Sequence, residues 1–247
     1  MDTTATFLLG NLIVIAAGVI RGLTGFGFAA FSVAGLVFLL PVREAVPVVL
    51  CLEVLASALL LPAAWRQIEW PLARPLLLAA LCGVPLGLLG LTRADPQAMA
   101  IAVYVLIGGL ALMGLARLPL PLARGAGAPW IVGGATGALL AAFSIGGPLV
   151  AAWLAHIGTR PGAVRATLIL FFGAIDAASV AALGASGHLG AQTAQRLIVL
   201  VPATLAGLWI GQRLFRVVPS ARALACTQWL LLALSLLGLY ASLAVPA

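Results

Sequence analysis

Apolar stretches recur from one end of the chain to the other, separated by short polar or glycine-rich punctuation. Ten can be marked, over 6–21, 27–40, 45–62, 72–91, 97–115, 129–143, 148–158, 163–184, 191–212 and 221–243. A helix rises about 1.5 Å per residue, so crossing the hydrocarbon core of a bilayer takes about 20 residues. The third to fifth and the eighth to tenth stretches roughly meet that length. The first and sixth are marginal, and the second and seventh are too short. The pattern predicts an all-α membrane protein of about ten hydrophobic helical segments in two inverted repeats of five, the first two segments of each repeat short or hairpin-like.

The breaks between the short segments are informative. The first reads Gly22-Leu23-Thr24-Gly25-Phe26-Gly27 and the second Ser144-Ile145-Gly146-Gly147-Pro148. Glycine and proline there free backbone groups that a helix would occupy. Inside a membrane such groups persist only where they are buried in protein or line a polar cavity. A pair of breaks in corresponding places is the pattern of a secondary transporter whose site lies where the halves meet.

The duplication extends beyond the breaks. Gly18-x-x-x-Gly22 answers to Gly133-x-x-x-Gly137, Glu53 to Asp176, and Gly83-x-x-x-Gly87 to Gly207-x-x-x-Gly211, at offsets from 115 to 124 residues. The long connection over 116–128 carries Arg117, Pro119, Pro121, Arg124, Gly125 and Gly127 and reads as a linker. The expected organisation is a first membrane repeat over 1–115, the linker over 116–128 and a second membrane repeat over 129–247. Five segments per half is an odd number, so the two repeats take opposite orientations in the membrane.

Composition fits this reading. The chain is 64% hydrophobic and 8% charged, with a mean hydropathy of +1.21, which leaves no charged shell for a soluble fold. The net charge of +7 comes from 13 arginines and no lysine. They are scattered between apolar runs as topology signals rather than gathered into a nucleic-acid patch, so no nucleic-acid partner is expected. Without lysine there is no Walker A loop. Arg21, Arg66, Arg74, Arg117, Arg124, Arg160, Arg165, Arg213, Arg216 and Arg222 fall on one side of a ten-segment arrangement, against Arg43, Arg93 and Arg196 on the other. The positive-inside rule then puts the larger set in the cytoplasm and both termini outside, in a multi-pass protein of the cell inner membrane. The N-terminal Met1-Asp2-Thr3-Thr4 lacks the basic region of a secretory signal, so the first apolar run is expected to stay.

The candidate chemistry centres on the breaks. If the short pairs are hairpins, their tips present the N-terminal ends of segments two and seven, where unsatisfied N–H groups suit an anion. Pro148 fits a first-turn helix position. The residues proposed to bind substrate are Arg21, Thr24, Gly25, Gly27, Ser144, Gly146, Gly147 and Gln228. Against this stands the plainer role of small residues as helix-packing surfaces. Arg21 has two readings: a cytoplasmic topology arginine if the segments cross fully, or an oxyanion ligand near the tip of a hairpin. Glu53 and Asp176 are the acids deep inside segments and are costly there. They read as protonatable groups coupling transport to the proton gradient, or as internal partners for an arginine or for backbone.

Cys51, Cys82 and Cys226 read as packing residues. His156 and His188 read as interfacial, so neither a metal site nor a cofactor is expected. The expected partners are a small anionic substrate and the lipid bilayer, with a homodimer left open.

The glycine patterns resemble the sulfite exporter family of TauE/SafE type, also called the toluene sulfonate uptake permeases. The resemblance rests on Gly18-x-x-x-Gly22-x-x-Gly25-x-Gly27, on Gly133-x-x-x-Gly137 followed by Gly146-Gly147-Pro148-Leu149, and on the Arg165-Ala166-Thr167 start of segment eight. It covers nearly the whole chain. The chain departs from it after the first motif, where Phe28, Ala29 and Ala30 stand in place of further glycines and a proline. The resemblance implies transport of sulfur-containing anions such as sulfite, thiosulfate or organosulfonates. The residues alone support an anion or polar-solute transporter driven by a gradient, against two rivals. A channel would conduct without coupling acids. An intramembrane enzyme would need a nucleophile with a base, and Ser144 has no nearby histidine in sequence.

Overall fold

A computed structural model describes residues 3–116, 125, 127–215, 217 and 220–244. Ten α-helices and no strand occur among the described residues: α1 (Thr3–Thr24), α2 (Phe28–Leu36), α3 (Val42–Ala64), α4 (Trp70–Arg93), α5 (Pro96–Leu115), α6 (Ala128–Phe143), α7 (Gly147–His156), α8 (Pro161–Ala185), α9 (Ala191–Leu214) and α10 (Ser220–Ala244). Most of the expected linker, with Arg117, Pro119, Pro121 and Arg124, lies outside the described residues, as does Arg216.

Among the described residues, seven helices are long and apolar enough to cross a membrane: α1, α3, α4, α5, α8, α9 and α10. The first of these differs from the marginal span expected. Gly22 does not interrupt α1, which continues through Thr24 for 22 residues. The reason is packing. A Cβ at Gly22 would lie 2.7 Å from the Leu208 carbonyl oxygen of α9, so this glycine lets two backbones touch. α2 has nine residues and spans only about 14 Å, half a hydrocarbon core. α7 is nearly as short, with ten.

The helices pack in a pattern of exchanges. α1 lies on α9 and α6 on α4; α3 packs against α8 and α5 against α10; α2 touches α1 and α3 as α7 touches α6 and α8. Each of these contacts maps onto another, or onto itself, when every helix is replaced by the one five places away. The paired glycines make the first two crossings close. Gly18 and Gly22 face Gly207 and Gly211, while Gly133 and Gly137 face the backbone of α4 at Leu76 and Ala80.

α1 and α2 form an antiparallel hairpin, with Gly27 against Ile20 and Gly35 against Ile13. Its tip meets α3 at Glu53, the middle of a 23-residue helix. The hairpin therefore ends level with the centre of a helix long enough to cross a bilayer. The tip turns through Gly25 (φ 83°) and Gly27 (φ 90°), a left-handed backbone that side chains with a Cβ rarely adopt. Ser144 ends α6 in the same region (φ 57°), where glycine is the usual residue.

The two tips interlock. Phe26, from the first, is buried among residues of α4, α6, α7 and α8. Ile145, from the second, is buried in a cluster drawn from α1–α5 and α8–α10. The two tips meet where Phe26 faces Gly147.

Candidate functional site

Arg21 stands at the tip of the first hairpin. It is completely buried, one turn before the end of α1, and its guanidinium is surrounded by protein. Nη1 donates to the Gly25 carbonyl at 2.6 Å and Nη2 to the Ser57 hydroxyl at 2.8 Å. Nη2 also lies 3.2 Å from Oε2 of Glu53. The guanidinium carbon stands 5.0 Å from the ring centroid of Phe172, within range of a cation–π contact. Nε has no partner among the described residues.

Glu53 holds a second contact. Its Oε1 accepts the backbone N–H of Ala29 at 3.3 Å, in the first turn of α2. A carboxylate of the chain itself therefore sits at the helix N-terminus that the sequence offers to an anion.

Asp176 lies within electrostatic reach of Glu53 and Arg21 and is fully buried. Neither of its carboxyl oxygens has a hydrogen-bond partner among the described residues. The contrast with Glu53 follows the sequence at the matching positions of the two breaks. At the offset that matches Gly22 to Gly137, the counterpart of Arg21 is Thr136. At the offset that matches Gly27 to Gly146, the counterpart of Ala29 is Pro148, which has no N–H to give. Both groups that hold Glu53 are missing from the second half. Thr136, Ser144 and Trp153 also carry buried polar atoms without partners among the described residues.

The other residues expected at the site divide. Gly25 and Gly27 shape the first tip. Gly147 opens α7 with its Cα facing Phe172 and Phe26, and Gly146 packs on Thr136 and Leu140. The Thr24 hydroxyl bonds the carbonyls of Ile20 (2.9 Å) and Phe26 (2.7 Å), so it is engaged by the tip's own backbone. Gln228 lies in α10 with its amide on Gly114 of α5, and no contact joins it to Arg21.

Arg165 belongs to the neighbourhood although the sequence reading gave it no role there. Its Nη2 donates to the Gly22 carbonyl at 3.2 Å, its stem lies on Gly25, and its guanidinium stacks 4.4 Å from the Phe215 centroid. The available signal was its place one turn inside α8 rather than in the preceding loop.

Charged residues away from the tips gather at the ends of the bundle. Arg196 pairs with Glu44 at 2.6 Å, and Arg43 donates to the carbonyl of Ala94, next to Arg93. These three arginines share one end. No group of three His, Cys, Asp or Glu side chains suited to a metal occurs among the described residues.

One guanidinium and two carboxylates are thus buried together beside the helix breaks. No curated protein and no solved structure is significantly similar to the chain. The model of the family described as Sulfite exporter TauE/SafE matches residues 11–240, nearly the whole length. The chain belongs to the sulfite exporter TauE/SafE family.

Proposed function

We propose that the protein is a secondary transporter of a small anion, a sulfur-containing oxyanion or organosulfonate, working by alternating access across the cytoplasmic membrane. The observation that carries this reading is the buried Arg21–Glu53 pair with Asp176 in electrostatic reach, whose carboxyl oxygens have no hydrogen-bond partner among the described residues. Ionisable groups that deep in a membrane protein mark transport pathways. The exchange of contacts between helices five places apart supports two repeats of opposite orientation, the architecture that lets one half rock against the other.

Glu53 and Asp176 are the coupling acids. An anion arriving beside an ionised carboxylate is repelled. At an effective dielectric of about 20, two like charges roughly 6 Å apart cost about 3 kcal/mol, near a hundredfold in occupancy. Protonation removes that cost and ties substrate entry to proton entry.

The test is flux into liposomes holding the purified protein, with sulfite, thiosulfate, sulfate and organosulfonates offered in turn. One of these should cross at a rate that an imposed pH gradient accelerates; flux of none would overturn the reading. In the same assay Asp176→Asn, which mimics the protonated acid, should keep substrate binding and weaken the response to the pH gradient, the remainder being carried by Glu53. An unchanged response would make Asp176 a structural acid, and continued gradient-independent conduction in wild type would favour a channel.

Arg43, Arg93 and Arg196 are outnumbered by the arginines assigned to the opposite face, which supports extracytoplasmic termini. A reporter active only in the cytoplasm, fused after Ala247, should stay silent. Strong signal would reverse the topology.

A further inference from the structure

We infer that Glu53 is a tethered occupant of the anion site: its carboxylate stands where the substrate's oxyanion will stand, and substrate binds by displacing it. This inference rests on the proposed transport of anions and adds what holds the site when it is empty.

Two kinds of donor define an oxyanion site here, the guanidinium of Arg21 and the backbone N–H at the start of α2. Glu53 faces both, with Oε2 3.2 Å from Arg21 Nη2 as an ion pair and Oε1 accepting from Ala29. Its attachment is incomplete in the way a replaceable ligand's would be. The contact with Arg21 falls outside hydrogen-bond geometry and leaves Oε2 without a bonded donor, while Arg21 keeps a buried Nε with none to accept it among the described residues. A guanidinium offers five N–H donors in a fixed fork, so a sulfonate-type group with three acceptor oxygens could use the unfilled ones. The Gly25 carbonyl and Ser57 hydroxyl hold the remaining edge of Arg21 in place.

The second half shows that the device is one-sided. Thr136 and Pro148 replace Arg21 and Ala29, so Asp176 has neither donor and cannot imitate a bound anion. One acid occupies the site and the other stands by, free to carry charge. The charged groups facing Glu53 are Arg21 from α1 and Asp176 from α8. α2 and α6 contribute no ionisable side chain. The Tyr104 hydroxyl of α5 donates to the Ala34 carbonyl, and Arg196 of α9 is held by Glu44 at the far end of α3.

A site occupied internally more than about nine-tenths of the time shows an apparent affinity at least about tenfold weaker than its intrinsic one. Binding of methanesulfonate and of thiosulfate to the detergent-solubilised full chain, in chloride-free buffer, reads this directly. Glu53→Gln should bind whichever probe wild type binds at least about tenfold more tightly, and adding Arg21→Gln should remove the gain. Equal or weaker binding in Glu53→Gln overturns the inference and leaves the anion site standing. Absence of binding to either protein overturns both. Should Glu53→Gln fail to fold, the Asp176→Asn protein decides, because Glu53 is its remaining acid at the site. Methanesulfonate, whose charge is constant from pH 5 to 8 (about three decades of proton activity), should bind it more tightly on acidification; constant affinity overturns the inference.

Discussion

Arg21→Met should destabilise the protein by about 3–5 kcal/mol and abolish anion binding. The magnitude follows from what the substitution leaves behind. A buried ion pair contributes little net stability, because desolvation offsets most of its attraction, but removing one partner strands the other charge in protein. Glu53 is buried and keeps only the Ala29 N–H when Arg21 is gone. Methionine fills most of the volume beside Phe172, so a cavity contributes little to the loss. The diagnostic comparison is the double variant Arg21→Met/Glu53→Leu, which removes both charges and should recover most of the lost stability without recovering transport. Unfolding of the three proteins in detergent measures this. A single variant as stable as wild type would mean that Glu53 carries no charge opposite Arg21.

Gly147→Leu should reduce flux to background while the protein still folds and inserts. A Cβ at Gly147 would lie 2.9 Å from Cζ of Phe172 and 3.5 Å from Cδ2 of Phe26. Both neighbours are the ends of aromatic side chains, which can turn aside at a cost of about 1–3 kcal/mol, typical of overpacking. That displacement reaches the site on two sides. Phe172 underlies the Arg21 guanidinium, and Phe26 is the side chain by which the first tip enters the second half. The readouts are flux in liposomes and the melting temperature in detergent, with Gly147→Ala as the milder control. Normal flux in Gly147→Leu would put the transport pathway elsewhere.

Much of this was legible along the chain. Hydropathy periods located ten helices to within four residues at each end, because a bilayer imposes length and composition directly on sequence. The two breaks were visible as clusters of glycine and proline. Their extent was not. Gly22 and Gly147 both belong to helices, the former through its contact with α9 and the latter as the first residue of α7. A glycine that stops a helix and one that admits a neighbouring backbone are the same letter, and only the partner separates them. The paired GxxxG patterns turned out to be two helix crossings, α1 with α9 and α4 with α6.

The site was legible as a list of residues and illegible as a set of bonds. Depth in an apolar segment singled out Glu53 and Asp176, since an acid there is expensive whatever surrounds it. The residues flanking each acid in the sequence do not distinguish the two. Their difference comes from Arg21 facing one acid, Thr136 occupying its place in the other half, and an N–H at Ala29 that Pro148 lacks. Arg21 itself read equally well as a surface charge, because its meaning depends on whether α1 ends at an interface or at the centre of the bundle. Thr24, a hydroxyl in a promising place, is used by the backbone of its own turn. The sequence by itself determined the membrane class, the helices and the duplicated breaks, since these follow from local composition and length. Which charges meet, and which acid is left without a hydrogen-bond partner among the described residues, was decided by how the first hairpin seats on α3, a tertiary contact that local composition does not encode.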